Sequence, residues 1–244
     1  MGDVPNFFIS QHRAINGAPM FKKKIGFDEF NELAVKENTF SLMWFNDYSG
    51  TAIKTHEKTI VIDPVDIVNG PRPDMILISH SHFDHYDARV VEALRQPETV
   101  VIASKEVRIE GAKSVSVGDV VEKDGIKIFA EKSVHPGEMP LTFVLELGNS
   151  VIYHAIDSQT FDGMREIGEK YKPDVAIVPI GIAPGTSPEA GARAVQLIKP
   201  KVAIPHHAKR GFDRFRDRVG ELAPETKVVV LQKGEIYTYS TGMP

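Results

Sequence analysis

Cysteine is absent from the 244 residues of the chain. Its absence excludes disulfides, thiolate metal ligands and thiol nucleophiles together. A metal site in this protein would therefore have to be built from histidine, aspartate and glutamate side chains.

Long hydrophobic runs are also missing. The longest apolar segments have the length of a β-strand, far below the roughly 20 residues that a membrane-spanning helix needs. The N-terminal residues lack the basic region and the following apolar region of a secretory signal. These absences predict a cytoplasmic protein without a membrane span.

An excess of positive charge is missing as well, because the formal net charge is −4. This balance provides no general attraction to nucleic acid, and the KKK run at 22–24 is too small a patch to reverse it. We therefore expect a small-molecule substrate rather than nucleic acid. The sequence does not exclude a homo-oligomer.

Strands and helices follow two successive patterns along the chain. From Phe40 to residue 147, short runs rich in β-branched and aromatic residues predict strands, interrupted by a helix at 87–97 that Asp87 caps. From residue 150 onwards, strands alternate with helices, which is typical of α/β layers.

The ends of the chain are less regular. Residues 1–38 form a lead-in, within which the apolar spacing of 27–38 indicates a short amphipathic helix. The segments 227–232 and 235–240 predict a closing pair of strands. Because no linker or low-complexity segment interrupts the chain, we expect one domain over 1–244, with two sheets that share a core and helices outside them.

The segment LISHSHFDHYD, at 77–87, concentrates metal-binding side chains after an apolar strand. His80 and His82 are two residues apart and face the same way in extended chain, so they can hold one ion. Asp84 and His85 follow as the chain turns into a helix, within reach of a second ion. Imidazole and carboxylate ligands suit Zn, Mn or Fe rather than Ca or Mg.

Four ligands cannot complete two metal sites, so further ligands are needed from later parts of the chain. His135 and Asp157 each come after an apolar strand, and so do His206 and His207, one of which would be the last ligand. Asp63, in VIDP at the end of an earlier strand, fits a turn residue or one that supports the ligands.

The segments TIVIDP, ISHSHFDHYD, VIYHAIDS, DVAIVPIG and KVAIPHHA, together with His135, resemble the metallo-β-lactamase superfamily of metal-dependent hydrolases. The resemblance extends from about Phe40 to about Arg210. Its nearest branch includes ascorbate-6-phosphate lactonase and the phospholipase D that acts on N-acyl phosphatidylethanolamine. It implies an α/β (α+β) fold, a four-layer αββα sandwich, with a binuclear metal site at one edge between the sheets.

The resemblance also implies an assignment of ligands. It gives His80, His82 and His135 to the first metal, and Asp84, His85 and the late histidine to the second. Asp157 would bridge both metals. The family spacing after Pro205 selects His207 for the late ligand, with His206 as the alternative.

Two departures from the family pattern concern residues near the ligands. Tyr48, in DYS, stands where this branch has a histidine, and it is a candidate catalytic donor or a packing residue. The family's GDT is IDS here, with Ile156 and Ser158 beside the retained Asp157. Lys209 and Arg210 follow the last ligand and are candidates for binding an anionic substrate.

The sequence thus predicts a hydrolase with two metal ions, zinc before manganese or iron, that cleaves an ester, phosphoester or lactone, with Asp84 as ligand and proton acceptor. Three alternatives remain at this point. The first is a nuclease, because RNA-processing members of the superfamily share the H-x-H-x-D-H motif. The others are a di-iron redox protein and a metal protein without catalysis.

Overall fold

The computed structural model describes residues 23–67 and 69–240. Within these ranges the chain forms fifteen strands and five helices. The strands are β1 (Lys23–Lys24), β2 (Thr39–Trp44), β3 (Thr51–Lys54), β4 (Thr59–Ile62), β5 (Met75–Ile78), β6 (Val100–Ser104), β7 (Lys113–Val115), β8 (Val120–Lys123), β9 (Ile126–Lys132), β10 (Leu141–Leu147), β11 (Ser150–His154), β12 (Val175–Pro179), β13 (Val202–His206), β14 (Lys227–Val228) and β15 (Glu235–Ser240). The helices are α1 (Phe27–Asn31), α2 (Ala88–Leu94), α3 (Met164–Tyr171), α4 (Pro188–Ile198) and α5 (Phe212–Leu222).

The strands form two sheets that pack face to face. The first has the order β1-β15-β2-β3-β4-β5-β6-β7, and the second has the order β14-β13-β12-β11-β10-β9-β8. Because side chains alternate along a strand, Met75 and Leu77 of β5 face the core between the sheets, while Ile76 and Ile78 face α2. Strand β5 is therefore apolar on both faces.

The five helices cover the outer faces of the sheets. On the first sheet, α1 packs through Phe30 and α2 packs through Val91 and Leu94. On the second sheet, α3, α4 and α5 share one apolar cluster with β11, β12 and β13. The expected four-layer αββα sandwich is confirmed.

Parallel strands place the polar loop residues at one edge of the sandwich. The strands β4 to β7 run parallel in the first sheet, and β11 to β14 run parallel in the second. Side chains that follow the carboxyl ends of such strands meet at a common edge. Asp63 and His80 arrive there from the first sheet, and Asp157 and His207 arrive from the second.

Two local predictions differ from the structure. Helix α1 ends at Asn31 rather than continuing to residue 38, because Lys54 donates to the carbonyls of Phe30 and Asn31 that a longer helix would use. The predicted closing pair is wrong, since β14 joins the second sheet and β15 joins the first. Val229 and Leu231, between them, are buried in the core as the chain crosses from one sheet to the other.

Residues 1–22 of the expected lead-in lie outside the described part of the chain. Among the residues that the structure describes, no helix has the length and apolar character required to cross a membrane.

Candidate metal centre

The turn after β5 is organised by one buried carboxylate, that of Asp63. Its two oxygens accept hydrogen bonds from the backbone N–H of Ser79 (2.8 Å) and the Ser79 hydroxyl (2.6 Å), and Nδ1 of His85 donates to it over 2.7 Å. Nδ1 of His80 in turn lies 2.8 Å from the Ser79 hydroxyl oxygen, which can accept its proton. Asp63 therefore orients two histidines and leaves their Nε2 atoms directed away from it.

Three histidine nitrogens converge in a first group, which consists of His80, His82 and His135. Nε2 of His80 and Nε2 of His135 each lie 3.1 Å from Nδ1 of His82. Two ligands bound at about 2.1 Å to one tetrahedral ion lie about 3.4 Å apart. The spacing of these three nitrogens therefore fits a shared cation.

A second group consists of Asp84, His85, Asp157 and His207. Oδ2 of Asp84 lies 3.7 Å from Nε2 of His85 and 3.8 Å from Nε2 of His207. Oδ2 of Asp157 lies 3.1 Å from Nε2 of His85 and 3.7 Å from Nε2 of His135 in the first group. Asp157 is thus placed between the two groups.

The side chains of the second group fit a metal because two of their imidazole nitrogens are buried and available as ligands. Nε2 of His207 is buried and has no hydrogen-bond partner among the described residues, and the buried Nε2 of His85 faces only the carboxylates of the proposed ligands, with Oδ2 of Asp157 at 3.1 Å. The opposite nitrogen of each ring is fixed, by Asp63 in His85 and by Asp157 in His207 (2.7 Å). Buried polar atoms without a partner are costly, and a cation at this place would satisfy both nitrogens.

Electrostatics also favour a cation between the groups. Burial, with a smaller contribution from His85, lowers the pKa of His80 to about 2, and burial lowers the pKa of His135. Burial opposes protonation of His85 as well, but the carboxylates of Asp157 and Asp63 outweigh it and raise its pKa to about 10. Despite burial, His207 and His85 hold the pKa of Asp157 well below its usual range. A proton on His85 and a metal ion would compete for the same nitrogen.

The structure separates the two candidates for the late ligand. His207 follows β13 and lies in the second group, whereas His206 is the last residue of β13 and belongs to neither group. The ring of His206 packs against that of His154, with centroids 4.9 Å apart. The geometry therefore favours His207 over His206.

Backbone strain occurs next to the ligands. Ile156, directly before Asp157, has φ 52°, and His207 has φ 51°. The left-handed region is rare for any non-glycine residue and especially for a β-branched one. Strained backbone of this kind concentrates at functional sites, where it fixes the direction of a side chain.

The other predicted site residues lie around the two groups. The half-buried ring of Tyr48 contacts His207 edge-on, with centroids 5.8 Å apart. Lys209 and Arg210 are exposed in the loop after β13, and neither forms a salt bridge with a described residue. The structure brings all seven predicted ligands together and places Tyr48 beside them. Lys209 and Arg210 lie in the loop that follows His207.

Sequence reasoning missed two residues that support the ligands. Ser49, which directly follows Tyr48 in DYS, donates its hydroxyl proton to Oδ1 of Asp157 over 3.0 Å. Glu106 accepts a hydrogen bond from the backbone N–H of Ser81 (2.7 Å) and another from that of Met139, which ties the loop of His82 to the loop of His135. Nothing in the pattern around Glu106 indicates this role, because its partners are backbone groups distant in sequence.

Comparison with known proteins identifies the family. The sequence-family model described as "Beta-lactamase superfamily domain" matches residues 41–207. A UPF0173 metal-dependent hydrolase of Caldivirga maquilingensis is 32% identical over 219 residues, which cover 80% of this chain and 96% of that protein. One from Methanopyrus kandleri is 30% identical over 188 residues, which cover 68% of this chain and 82% of that protein. The structure of a metallo hydrolase from Ignicoccus hospitalis has a TM-score of 0.70 and 23% identity, covering 83% of this chain and 99% of that chain.

The fold, the matched range and the relatives define a protein of the metallo-β-lactamase type, and the chain belongs to the β-lactamase superfamily. Within that superfamily it is a metal-dependent hydrolase. The narrower branch expected from the sequence, that of ascorbate-6-phosphate lactonase and the phospholipase D, stays a prediction.

A buried histidine beside the metal centre predicts sensitivity to acid. Nδ1 of His154 accepts from the Ile156 N–H (3.1 Å), its Nε2 lies 3.0 Å from the Thr51 hydroxyl, and burial lowers its pKa to about 3. The folded state thus binds fewer protons than the unfolded state between pH 6.5 and about 3. The free energy of unfolding should therefore fall as pH falls through this window, by about 1.4 kcal/mol per pH unit for one histidine.

The variant His154→Gln is expected to lose that share of the pH dependence. Urea unfolding of the metal-free protein at several pH values between about 5 and 7 measures the slope in both proteins. Equal slopes would show that His154 does not stay neutral in the folded state.

Proposed function

We propose that the chain binds two divalent metal ions, zinc first and manganese or iron as alternatives, and hydrolyses an ester, phosphoester or lactone in a small anionic substrate. The observation that carries the proposal is the pair of ligand groups, which meet at one edge of the sheets and share Asp157. The first ion would be held by His80, His82 and His135. The second would be held by Asp84, His85 and His207, with Asp157 between the two.

Two such ions supply an activated water and stabilise negative charge that develops on the substrate. The side chains define what else happens at the site. Asp84 is the one member of the second group that is not fully buried, so its carboxylate can reach substrate and accept a proton. His85, Asp157 and His207 are buried, so they would bind the second ion without contact with bulk water.

Tyr48 is proposed to donate a hydrogen bond from its hydroxyl to the substrate. Tyr48→Phe is expected to lower kcat by about 10- to 100-fold with little change in KM, because a donor to developing charge acts mainly in the transition state. The ring contacts to His207 and Phe83 would remain in this variant. Steady-state kinetics of the two proteins give the answer, and an unchanged kcat would assign Tyr48 to packing.

Lys209 and Arg210 are proposed to attract the anionic part of the substrate. Both are exposed and follow the second ligand group along the chain, and arginine in particular matches carboxylate or phosphate geometry. The double substitution Lys209→Ala with Arg210→Ala should raise KM for anionic substrates and leave neutral ones unchanged.

Activity of the reconstituted protein tests the proposal. The chain is stripped with chelator, loaded with zinc, manganese or iron(II), and assayed on paired anionic and neutral substrates: phosphodiesters, carboxylic esters and lactones. Metal-dependent hydrolysis of one class supports the proposal. Cleavage of an RNA oligonucleotide alone would favour the nuclease, reversible oxidation of bound iron without hydrolysis would favour the redox alternative, and metal binding without any reaction would favour the non-catalytic one.

A further inference from the structure

Exposed apolar side chains are concentrated around the candidate metal centre. Among the described residues, five large hydrophobic side chains are exposed, and three of them lie on loops that carry or contact the proposed ligands. These three are Phe83, Met139 and Ile182. Isolated exposed apolar residues are common, but a group of them around one polar site indicates a binding surface.

Phe83 is the most exposed of the three, with 81% of its surface accessible. It stands between the ligands His82 and Asp84, in a turn closed by hydrogen bonds from the N–H groups of His85 and Tyr86 to the carbonyl of His82, both 2.9 Å. Its ring meets that of Tyr48 edge-on, with centroids 6.3 Å apart. The ligand cluster itself therefore fixes the backbone that presents this ring to solvent.

Ile182 is held by a hydrogen bond to a ligand residue, and Met139 is linked to the loop of His82 through Glu106. The N–H of Ile182 donates to the carbonyl of His207 over 2.8 Å. The N–H of Met139 donates to Glu106, and its carbonyl accepts from the Ser104 hydroxyl over 2.5 Å. Since Glu106 also binds the N–H of Ser81, Met139 is placed beside the loop of His82.

From this arrangement we infer that the substrate is amphiphilic, with a hydrolysable anionic group at the metals and an apolar chain or ring that lies on Phe83, Tyr48 and Ile182. The inference rests on the proposed function, because it names the substrate class of the same site. The fixed backbones of these residues reduce the conformational entropy that binding would cost. Phe83 directly precedes Asp84 in the chain, the ring of Tyr48 contacts those of Phe83 and His207, and the backbone of Ile182 is bonded to that of His207, so each of the three residues is tied to a proposed ligand.

Binding of alkylphosphonates to the zinc-loaded protein tests the inference without relying on turnover. A methylene fully removed from water contributes about fourfold in affinity, so partial burial on an open surface predicts about twofold for each one. Calorimetric titration should therefore show octylphosphonate binding about tenfold or more tightly than butylphosphonate, and butylphosphonate more tightly than methylphosphonate.

Two variants and one matched control assign the effect. Phe83→Ser and Ile182→Ser should each weaken octylphosphonate at least about threefold and leave methylphosphonate unchanged. Val117→Ser removes an exposed apolar side chain that is on none of the ligand-bearing loops, and it should change neither affinity.

Equal affinity for all three phosphonates, or a dependence on chain length that survives in both variants, would overturn the inference. If methylphosphonate still requires zinc in that case, the proposed function stands alone. No phosphonate binding to a zinc-loaded chain would overturn the inference and also count against an anion site at the metals. Binding to phosphatidylcholine vesicles that depends on Phe83, without any effect of chain length, would assign the surface to a membrane instead.

Discussion

Asp84→Ala is expected to lower the rate of hydrolysis by at least about a thousandfold and to leave the folded structure intact. The variant removes a proposed metal ligand and the proposed proton acceptor together, and each contributes at least tens-fold to such reactions. The fold should survive because the Asp84 side chain is part-exposed and, among the residues that the structure describes, approaches only His85 and His207, at 3.7 and 3.8 Å, without a hydrogen bond. Steady-state rates and urea unfolding of the metal-free chain measure the two quantities.

Asp87→Ala is the matched control for this prediction. Asp87 lies in the same loop, three residues later, but its carboxylate caps α2 by accepting from the N–H of Arg89. Its removal should cost about 1 kcal/mol of stability and no activity. The proposed role of Asp84 would be contradicted if the Asp84 variant kept full activity, or if both variants lost activity equally.

Asp63→Asn is expected to weaken metal binding by about 10- to 100-fold. Asp63 touches no metal in the proposed assignment, but its carboxylate fixes His85 directly and His80 through Ser79, one ligand in each group. Loss of such a supporting carboxylate typically has an effect of this size. Asparagine tolerates the left-handed backbone of Asp63, with φ 47°, so the variant tests the carboxylate rather than the turn.

Asp66→Asn provides the control, because Asp66 shares the left-handed backbone, with φ 55°, and is exposed. Competition with a chelator of known affinity measures metal binding in both variants and the parent chain. Metal binding by the Asp66 variant should equal that of the parent chain. Unchanged binding in the Asp63 variant would mean that the histidines are oriented by other contacts.

Much of the fold was predictable because local pattern and tertiary structure agree. Runs such as Met75–Ile78 are buried on both faces, which is what an uninterrupted apolar run indicates for an inner strand. The N-cap of α2 at Asp87 was likewise predicted correctly from the sequence. The closing strands were not, since a hairpin and a crossover between sheets have the same local pattern, and only the buried Val229 and Leu231 distinguish them.

The candidate site was predictable to the extent that its ligands are clustered or follow strands. The motif at residues 77–87 is recognisable from its density of histidine and aspartate, and each of the later ligands follows the end of a strand. The family resemblance selected His207 and left His206 as the alternative. The structure favours the same choice, because adjacent residues at the end of a strand point to opposite sides and only His207 lies in a ligand group. The supporting roles of Ser49 and Glu106 could not be predicted, since they depend on contacts across long sequence separations.

The central claim is that two groups of side chains hold two metal ions, and the metal content of the purified, reconstituted protein tests it most directly. Mass spectrometry should give about two zinc or manganese ions per chain. The His82→Ala variant should retain about one, because His82 belongs to the first group alone. No bound metal after reconstitution, or the same content in both proteins, would contradict the account.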